Sequence, residues 1–310
     1  MSTVRARMNG RGRGERGFVI APVLLILSVL ATLTGALSVY LGRSAIALGV
    51  NDDRLRTDAL VSASLELMAC SLSSGNKQTR PLSGSSRFLF DGATVSTSYS
   101  AESNRVDLNL ASKDMLTNLF RVLGAESRDA EQYASRVVGW RSAQGDTLES
   151  ENAYYRSAGA NYLPRGAAFS SVDELWLVLG IPSDLIERAV PFLTVYSGHH
   201  EISVLGAAAE VIASLPGITP ADFDLFLKQR LVLPRDIKVI GEVLGEARKS
   251  ATVEGSDAVR VRTMIQFDNG RRASNEAVIL LDAGDLPYRI LAWRDEADLA
   301  SLRRSKGGLL

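Results

Sequence analysis

Hydrophobic and polar positions divide the chain into four regimes. From Phe18 to Gly42 the sequence FVIAPVLLILSVLATLTGALSVYLG runs for 25 residues without a formal charge. As a helix rising 1.5 Å per residue it is roughly 37 Å long, enough to cross a bilayer core of about 30 Å with some tilt. Beyond Arg43 the pattern turns amphipathic. Val61, Leu65, Met68 and Leu72 recur at i, i+4, i+7 and i+11, which puts them on one face of a helix. One helix over residues 18–72 is predicted, membrane-spanning over 18–42, its outer half packing on a globular body. The Val61, Leu65, Met68, Leu72 stripe is also a natural face for a partner helix.

The third regime is alternating. Ser73 to Ser86 is rich in Gly, Ser and Pro and reads as a loop, and RFLFDGATVSTSYS then alternates around Asp91-Gly92, a hairpin signal. The alternation returns after Ala251, where VRVRTMIQFDNGRRASNEAVILLDA carries Asn269-Gly270, a type I′ hairpin signal, and PYRILAWRD (287–295) reads as a further strand. Between these stretches residues 107–250 are helical. Segments 108–141 and 202–230 look related, each reading strand end, small residues, helix, Gly-containing turn, helix, Arg. Residues 170–190 have the same helix–turn–helix shape, with Ser171 and Glu174 spaced as a capping box and Gly124, Gly180 and Gly217 where left-handed turns belong. The fold class is therefore α+β: a long N-terminal helix packed on a small antiparallel sheet, built from 73–106 and 251–295. A large all-α insertion of helix-hairpin-helix (SAM-like) type, 107–250, interrupts that sheet, and a tail, 296–310, follows it.

Charge narrows the function. The first 16 residues hold five Arg and one Glu, a formal +4, and positive charge before an apolar span keeps that flank cytoplasmic. Three readings fit this leader: a cleaved secretory signal, a plain anchor, or a leader cut on the cytoplasmic side. The apolar core is longer than a secretory signal requires. Over the whole chain 35 Lys and Arg balance 35 Asp and Glu, so there is no global basic footprint for nucleic acid. The single cysteine, Cys70, excludes an internal disulfide, and two adjacent histidines, His199 and His200, leave little material for a catalytic triad or a His-rich metal site. Gly10, Gly12 and Gly14 lie in the leader rather than between a strand and a helix, so they form no dinucleotide loop. Trp140, Trp176 and Trp293 are expected in the core.

The basic leader ending in Gly17, followed by Phe18 and an apolar helix, resembles the N-terminus of type IV pilins and pseudopilins. The resemblance implies cleavage after Gly17 by a prepilin peptidase and N-methylation of Phe18. Most members carry Glu at the fifth mature position, where this chain has Pro22. The whole chain further resembles the K-type minor pseudopilins of bacterial type II secretion systems. LNLAS (108–112), VVGWR (137–141), ENAYY (151–155), FSSVDELWLVLGI (169–181), ASLPGI (213–218) and RILAW (289–293) carry this likeness. It implies a structural, non-enzymatic subunit in the inner membrane, single-pass, with its N-terminus cytoplasmic and its body periplasmic. Such a subunit caps the pseudopilus tip and helps start its assembly, with I- and J-type minor pseudopilins and other pseudopilins as partners.

No cofactor is required by this reading. The family associates a calcium site with the acidic stretch after the Trp-Arg pair, which here retains Asp146, Glu149 and Glu151 but has Ser142 and Gln144 where Asp is expected. Leu215-Pro216-Gly217-Ile218 also resembles the hairpin of helix-hairpin-helix proteins that bind DNA phosphates, so a membrane-anchored DNA receptor is the alternative from another class. Net zero charge over 215–230 argues against it and for no nucleic-acid partner.

Overall fold

The computed structural model describes residues 20–295 except 75, 144, 284 and 285, without the side chains of 20, 21, 42–52, 78, 146, 147 and 283. The leader, with its expected processing pair Gly17 and Phe18, and the tail 296–310 lie outside the described residues. The chain divides into two compact units, Met1–Ala59 and Leu60–Leu310.

Helix α1 (Ile20–Ser73) is continuous for 54 residues. In the first unit its stretch Pro22–Leu41 is long and apolar enough to cross a membrane, with a mean hydropathy of 2.2 and none of its residues buried. At 1.5 Å per residue that stretch spans about 30 Å, the thickness of a bilayer's hydrocarbon core. Pro22 stands in the first turn of the described helix, where a missing N–H costs little.

The second unit begins with the last part of α1. Strands β1 (Ser83–Phe90), β2 (Ala93–Ala101) and β3 (Val106–Asp107) follow, then α2 (Lys113–Val122), α3 (Ser127–Arg141), α4 (Asp146–Ser157) and α5 (Ser183–Ala189). Next come β4 (Leu193–Thr194), β5 (Ile202–Ser203), α6 (Ala209–Ala213), α7 (Pro220–Gln229), α8 (Ile237–Leu244) and β6 (Ala251–Thr252). Strands β7 (Ala258–Phe267), β8 (Arg272–Ala283) and β9 (Leu286–Asp295) complete it. The main sheet is antiparallel in the order β1-β2-β7-β8-β9. Because β2 and β7 are neighbours, with Ala93 opposite Phe267 and Ala101 opposite Val259, everything between them leaves and returns at one end of the sheet.

Alternation along β7 turns Val259, Val261, Thr263, Ile265 and Phe267 to one face, and α1 lies on that face. Val61, Leu65, Met68 and Leu72 are all buried there with Leu60 and Ala69, against Val95, Ala277 and Ile279. Burying a side chain of this size contributes about 1.5–3 kcal/mol. A single polar pair, Ser64 Oγ to Thr263 Oγ1 at 2.7 Å, sits within this layer. The stripe read as a partner-helix face is therefore occupied by the chain's own sheet. The reason is that a half-buried sheet needs an apolar cover, and α1 is the element that supplies it.

Both hairpin signals form hairpins, with different turns. Asp91 and Gly92 both have positive φ, 48° and 66°, as a type I′ turn requires. At Asn269-Gly270 only Gly270 does, at 83°. Its N–H meets Phe267 O at 2.9 Å, and Asn269 Oδ1 accepts from Arg271 N at 3.0 Å. That side-chain bond holds Asn269 in the right-handed region, so the turn is type I with a left-handed glycine rather than the expected type I′.

The insertion is helical and is built as two units of the same plan, each closed by a two-residue parallel ladder that periodicity did not predict. In the first, β3 pairs with β4; in the second, β5 pairs with β6. The equivalence extends to single bonds. Leu108 N donates to Thr194 O, and Val204 N to Thr252 O. Thr194 Oγ1 accepts from Tyr196 N at 3.0 Å, and Thr252 Oγ1 from Glu254 N at 3.1 Å. The arginine ending each second helix reaches back to the turn that precedes the first: Arg141 donates to Ala111 O at 2.7 Å and also to Leu108 O, and Arg230 to Ala207 O at 2.8 Å. Leu205, which stands where the first unit has Asn109, leaves the backbone turn unchanged, since Gly206 N and Ala207 N both reach Ser203 O as Leu110 N and Ala111 N reach Asp107 O. Gly124, Gly180 and Gly217 all have positive φ at the helix-hairpin turns.

Candidate functional site

Four of the six motifs that carry the family resemblance converge on the first insertion unit, while ASLPGI lies in the second and RILAW on β9. Trp140, at the end of α3, is buried among Tyr155, Tyr162 and Phe169, with ring centroids 6.0, 6.5 and 6.2 Å away. Its indole Nε1 donates to Glu174 Oε2 at 3.3 Å. Tyr155 OH donates to Leu177 O at 3.2 Å and accepts from Leu179 N at 2.9 Å, and burial pushes its phenol up to about 12. Asn109 closes the group by pairing twice with the Phe169 backbone, at 2.7 and 3.0 Å. VVGWR, ENAYY and FSSVDELWLVLGI are thus distant in sequence and adjacent in space, and their residue types are those of a packed aromatic nucleus. Glu174 Oε1 accepts from Ser170 N at 3.0 Å, while Ser171 Oγ accepts from Asp173 N at 3.1 Å, so the capping box is split over two adjacent serines. Burial raises the Glu174 carboxyl, but hydrogen bonds from Ser170 and Trp140 and the charge of Arg165 bring it below the usual range. Trp176 is partly buried against this core, whereas Trp293 on β9 is 37% exposed and not a core residue.

The acidic stretch presents one buried and one exposed carboxylate among the candidate ligands whose side chains are described. Glu151 is buried and paired with Arg136 at 2.8 Å, and Arg136 lies 3.5 Å above the Tyr154 ring. Burial pushes the Glu151 carboxyl up, and Arg136 offsets part of that. Glu149 is exposed, and the side chain of Asp146 lies outside the described residues. Among the described residues no group of three or more His, Cys, Asp or Glu comes together that could hold a metal. Glu151 gives Oε1 to Arg136 and keeps Oε2 buried without a hydrogen-bond partner, so the stretch offers few of the six to eight oxygens that calcium takes but leaves one of them uncommitted.

Gly139 explains why α4 can approach α3 here. A Cβ at this position would stand 2.2 Å from Glu151 Cγ. Gly139→Ala should cost about 1–3 kcal/mol by forcing the pair apart. The cost would be read as a lower urea midpoint, and an unchanged midpoint would show that Glu151 can move away freely.

Acidic and basic side chains both stand beside the Leu215-Pro216-Gly217-Ile218 hairpin, Arg121 among them. Glu246 packs on Gly217, and Asp222 Oδ2 is bound by the cap hydroxyl of Thr219 at 2.7 Å. Arg230 is already engaged by Ala207 O. Glu246 is paired with Lys249, so charge around the turn is balanced rather than the concentrated positive charge that phosphate binding recruits, which counts against the DNA-receptor alternative.

The group that sequence reasoning missed lies where the chain crosses from sheet to insertion. Glu102, fully buried directly after β2, receives Arg260 of β7 through Nε at 2.8 Å and Nη2 at 3.0 Å. Arg105 joins at 3.0 Å, and the Thr194 hydroxyl donates to the second oxygen. Arg260 also binds Glu276 of β8 at 2.6 Å. Burial works against the Arg260 charge, but its hydrogen bonds to Glu102 and the charges of Glu102 and Glu276 more than restore it. These residues are 158 and 16 positions apart, so no local motif announces them. The only sequence signal is arginine alternating with apolar residues in β7.

Residues 95–198 match the family model described as type II secretion system (T2SS), protein K. The match covers that segment and not the rest of the chain. It runs from β2 through the first insertion unit and so contains the whole aromatic nucleus; the second unit repeats the plan outside the matched residues. Comparison with curated protein sequences gives no match. Among solved structures, the chain is similar to one in the crystal structure of the GspK-GspI-GspJ complex from the enterotoxigenic Escherichia coli type 2 secretion system. The identity is 14%, 79% of this chain and 98% of that chain are covered, and the TM-score is 0.59. At that identity the likeness shows a shared fold. The protein K resemblance read from the motifs thus agrees with both comparisons, and the apolar helix Pro22–Leu41 fits a membrane anchor for such a subunit.

Proposed function

We propose that this chain is a minor pseudopilin that caps the tip of a type II secretion pseudopilus and helps start its assembly, anchored in the inner membrane with its body periplasmic. The observation that carries this reading is the protein K match over 95–198 on a body that hangs from an apolar N-terminal helix. Pro22 supports the tip position, because a subunit without a carboxylate there lacks the group that would pair with a neighbour's N-terminal amine. The bulk of the insertion, which would obstruct a subunit stacked above, supports it too.

The solved neighbour assembles with GspI and GspJ, and we infer I- and J-type partners for this chain. Since the Val61–Leu72 stripe covers the sheet, the face of α1 left for a partner helix is the opposite one, with Ala63, Leu67 and Cys70 exposed. The full-length protein, co-expressed with I- and J-type pseudopilins and extracted in detergent, should co-purify with both in equal amounts. Leu67→Asp should abolish this while leaving circular dichroism unchanged. Gold labelling should mark one end of each filament. Labelling along the shaft, or complex formation unaffected by Leu67→Asp, would count against the tip role or the assigned face respectively.

A further inference from the structure

The second unit has two hydrophobic cores, not one. One core gathers α1 and the main sheet; the other gathers the helices and short ladders of the insertion, and the two share no buried residue. Leu82, Ala101, Ala258 and Val278 are buried outside both cores, and polar contacts join the two bodies, among them Arg235 of the insertion donating to Arg80 O at 2.6 Å. At the crossing, Glu102 binds Arg260 of the sheet and accepts from Thr194 of the insertion, and Arg105 Nε reaches Pro191 O at 3.1 Å. At the far rim Arg294 of β9 binds Asp173 of the insertion. Between these two clasps lies a cleft of about 260 Å³, walled by Val172, Val190 and Leu193 on one side and by Val278, Ala292 and Trp293 on the other.

The chain crosses this seam twice, through 102–105 and 253–257, and the crossings run side by side. Ser103 N donates to Ser256 Oγ at 3.0 Å, and Ser256 N to Ser103 Oγ at 2.9 Å. Paired crossings at one edge of a body are the geometry of a hinge, and a seam of ion pairs with a cleft lacks the interdigitated packing that fuses two layers into one.

We propose that the seam is an ionic latch: the insertion swings as a body about the Ser103–Ser256 crossing when the Glu102–Arg260 and Asp173–Arg294 clasps open. Each clasp has a distinct role. Asp173–Arg294 is at the rim and partly exposed, so water and salt weaken it first. Glu102–Arg260 is buried at the pivot, where loss of one partner strands the other's charge.

The test uses full-length protein in detergent with Cys70→Ser, spin-labelled at cysteines replacing Leu231 in the insertion and Met264 on the sheet, both exposed. The distance distribution should be narrow at low salt. It should acquire a second, longer population on Arg294→Ala, and more of it on Glu102→Gln, with helicity unchanged. Amide exchange at 102–105 and 253–257 should quicken about tenfold while both cores stay protected. A distribution that stays single in both variants overturns the latch. So does a loss of insertion helicity in Arg294→Ala, which would make the seam part of one cooperative fold.

Discussion

Leu65→Asp should unfold the sheet-bearing body. Leu65 is 1% exposed at the centre of the layer between α1 and the sheet. Truncating a buried leucine to alanine costs about 2–5 kcal/mol, and a buried carboxylate adds a desolvation cost, since the cluster that Leu65 belongs to is hydrophobic. Against a net stability of about 5–15 kcal/mol for a domain, that is enough to remove the folded state. The expected result is loss of β signal in circular dichroism and rapid proteolysis of the region after Leu60. Leu67→Asp, two positions along on the exposed side of the same helix, should change stability by no more than about 0.5 kcal/mol. Equal damage from both would mean that the helix is buried all round.

Trp140→Ala should be the most damaging change in the insertion. The ring is 3% exposed and touches three other aromatic side chains. A truncation of this kind costs about 3–5 kcal/mol, visible as early loss of the helical signal on urea unfolding. Trp140→Phe should recover most of the packing but not the bond from Nε1 to Glu174 Oε2, leaving a deficit of about 1–3 kcal/mol. Trp293→Phe, on the edge strand, should be nearly silent. If the two tryptophans respond alike, the aromatic nucleus is not the centre of this unit.

Much of this architecture was legible from local patterns. The uninterrupted apolar run before Arg43 can satisfy its backbone only as a helix in lipid, and its length alone matches a bilayer. Asp91-Gly92 tolerates left-handed backbone, so its hairpin follows from two residues. The spacing of Val61, Leu65, Met68 and Leu72 required a buried face, and the family motifs in 95–198 pointed to the protein K domain.

Tertiary structure decided what those residues face. The stripe on α1 could have met a partner helix or its own sheet with equal regard for periodicity, and only the five-stranded sheet beside it determined which. Asn269 could have entered the left-handed region, but its side chain found Arg271 N instead. Glu151 reads as an ordinary acidic loop residue, and only α3 shows that it is buried with Arg136 at 2.8 Å. Glu102, Arg260 and Glu276 read as three ordinary surface charges until β2, β7 and β8 bury them together. Periodicity reports that a side chain will be buried, because burial follows from the repeat of a single element. What it is buried against depends on elements a hundred or more residues away, and the electrostatics of a charged group are set by those neighbours rather than by its own stretch of chain.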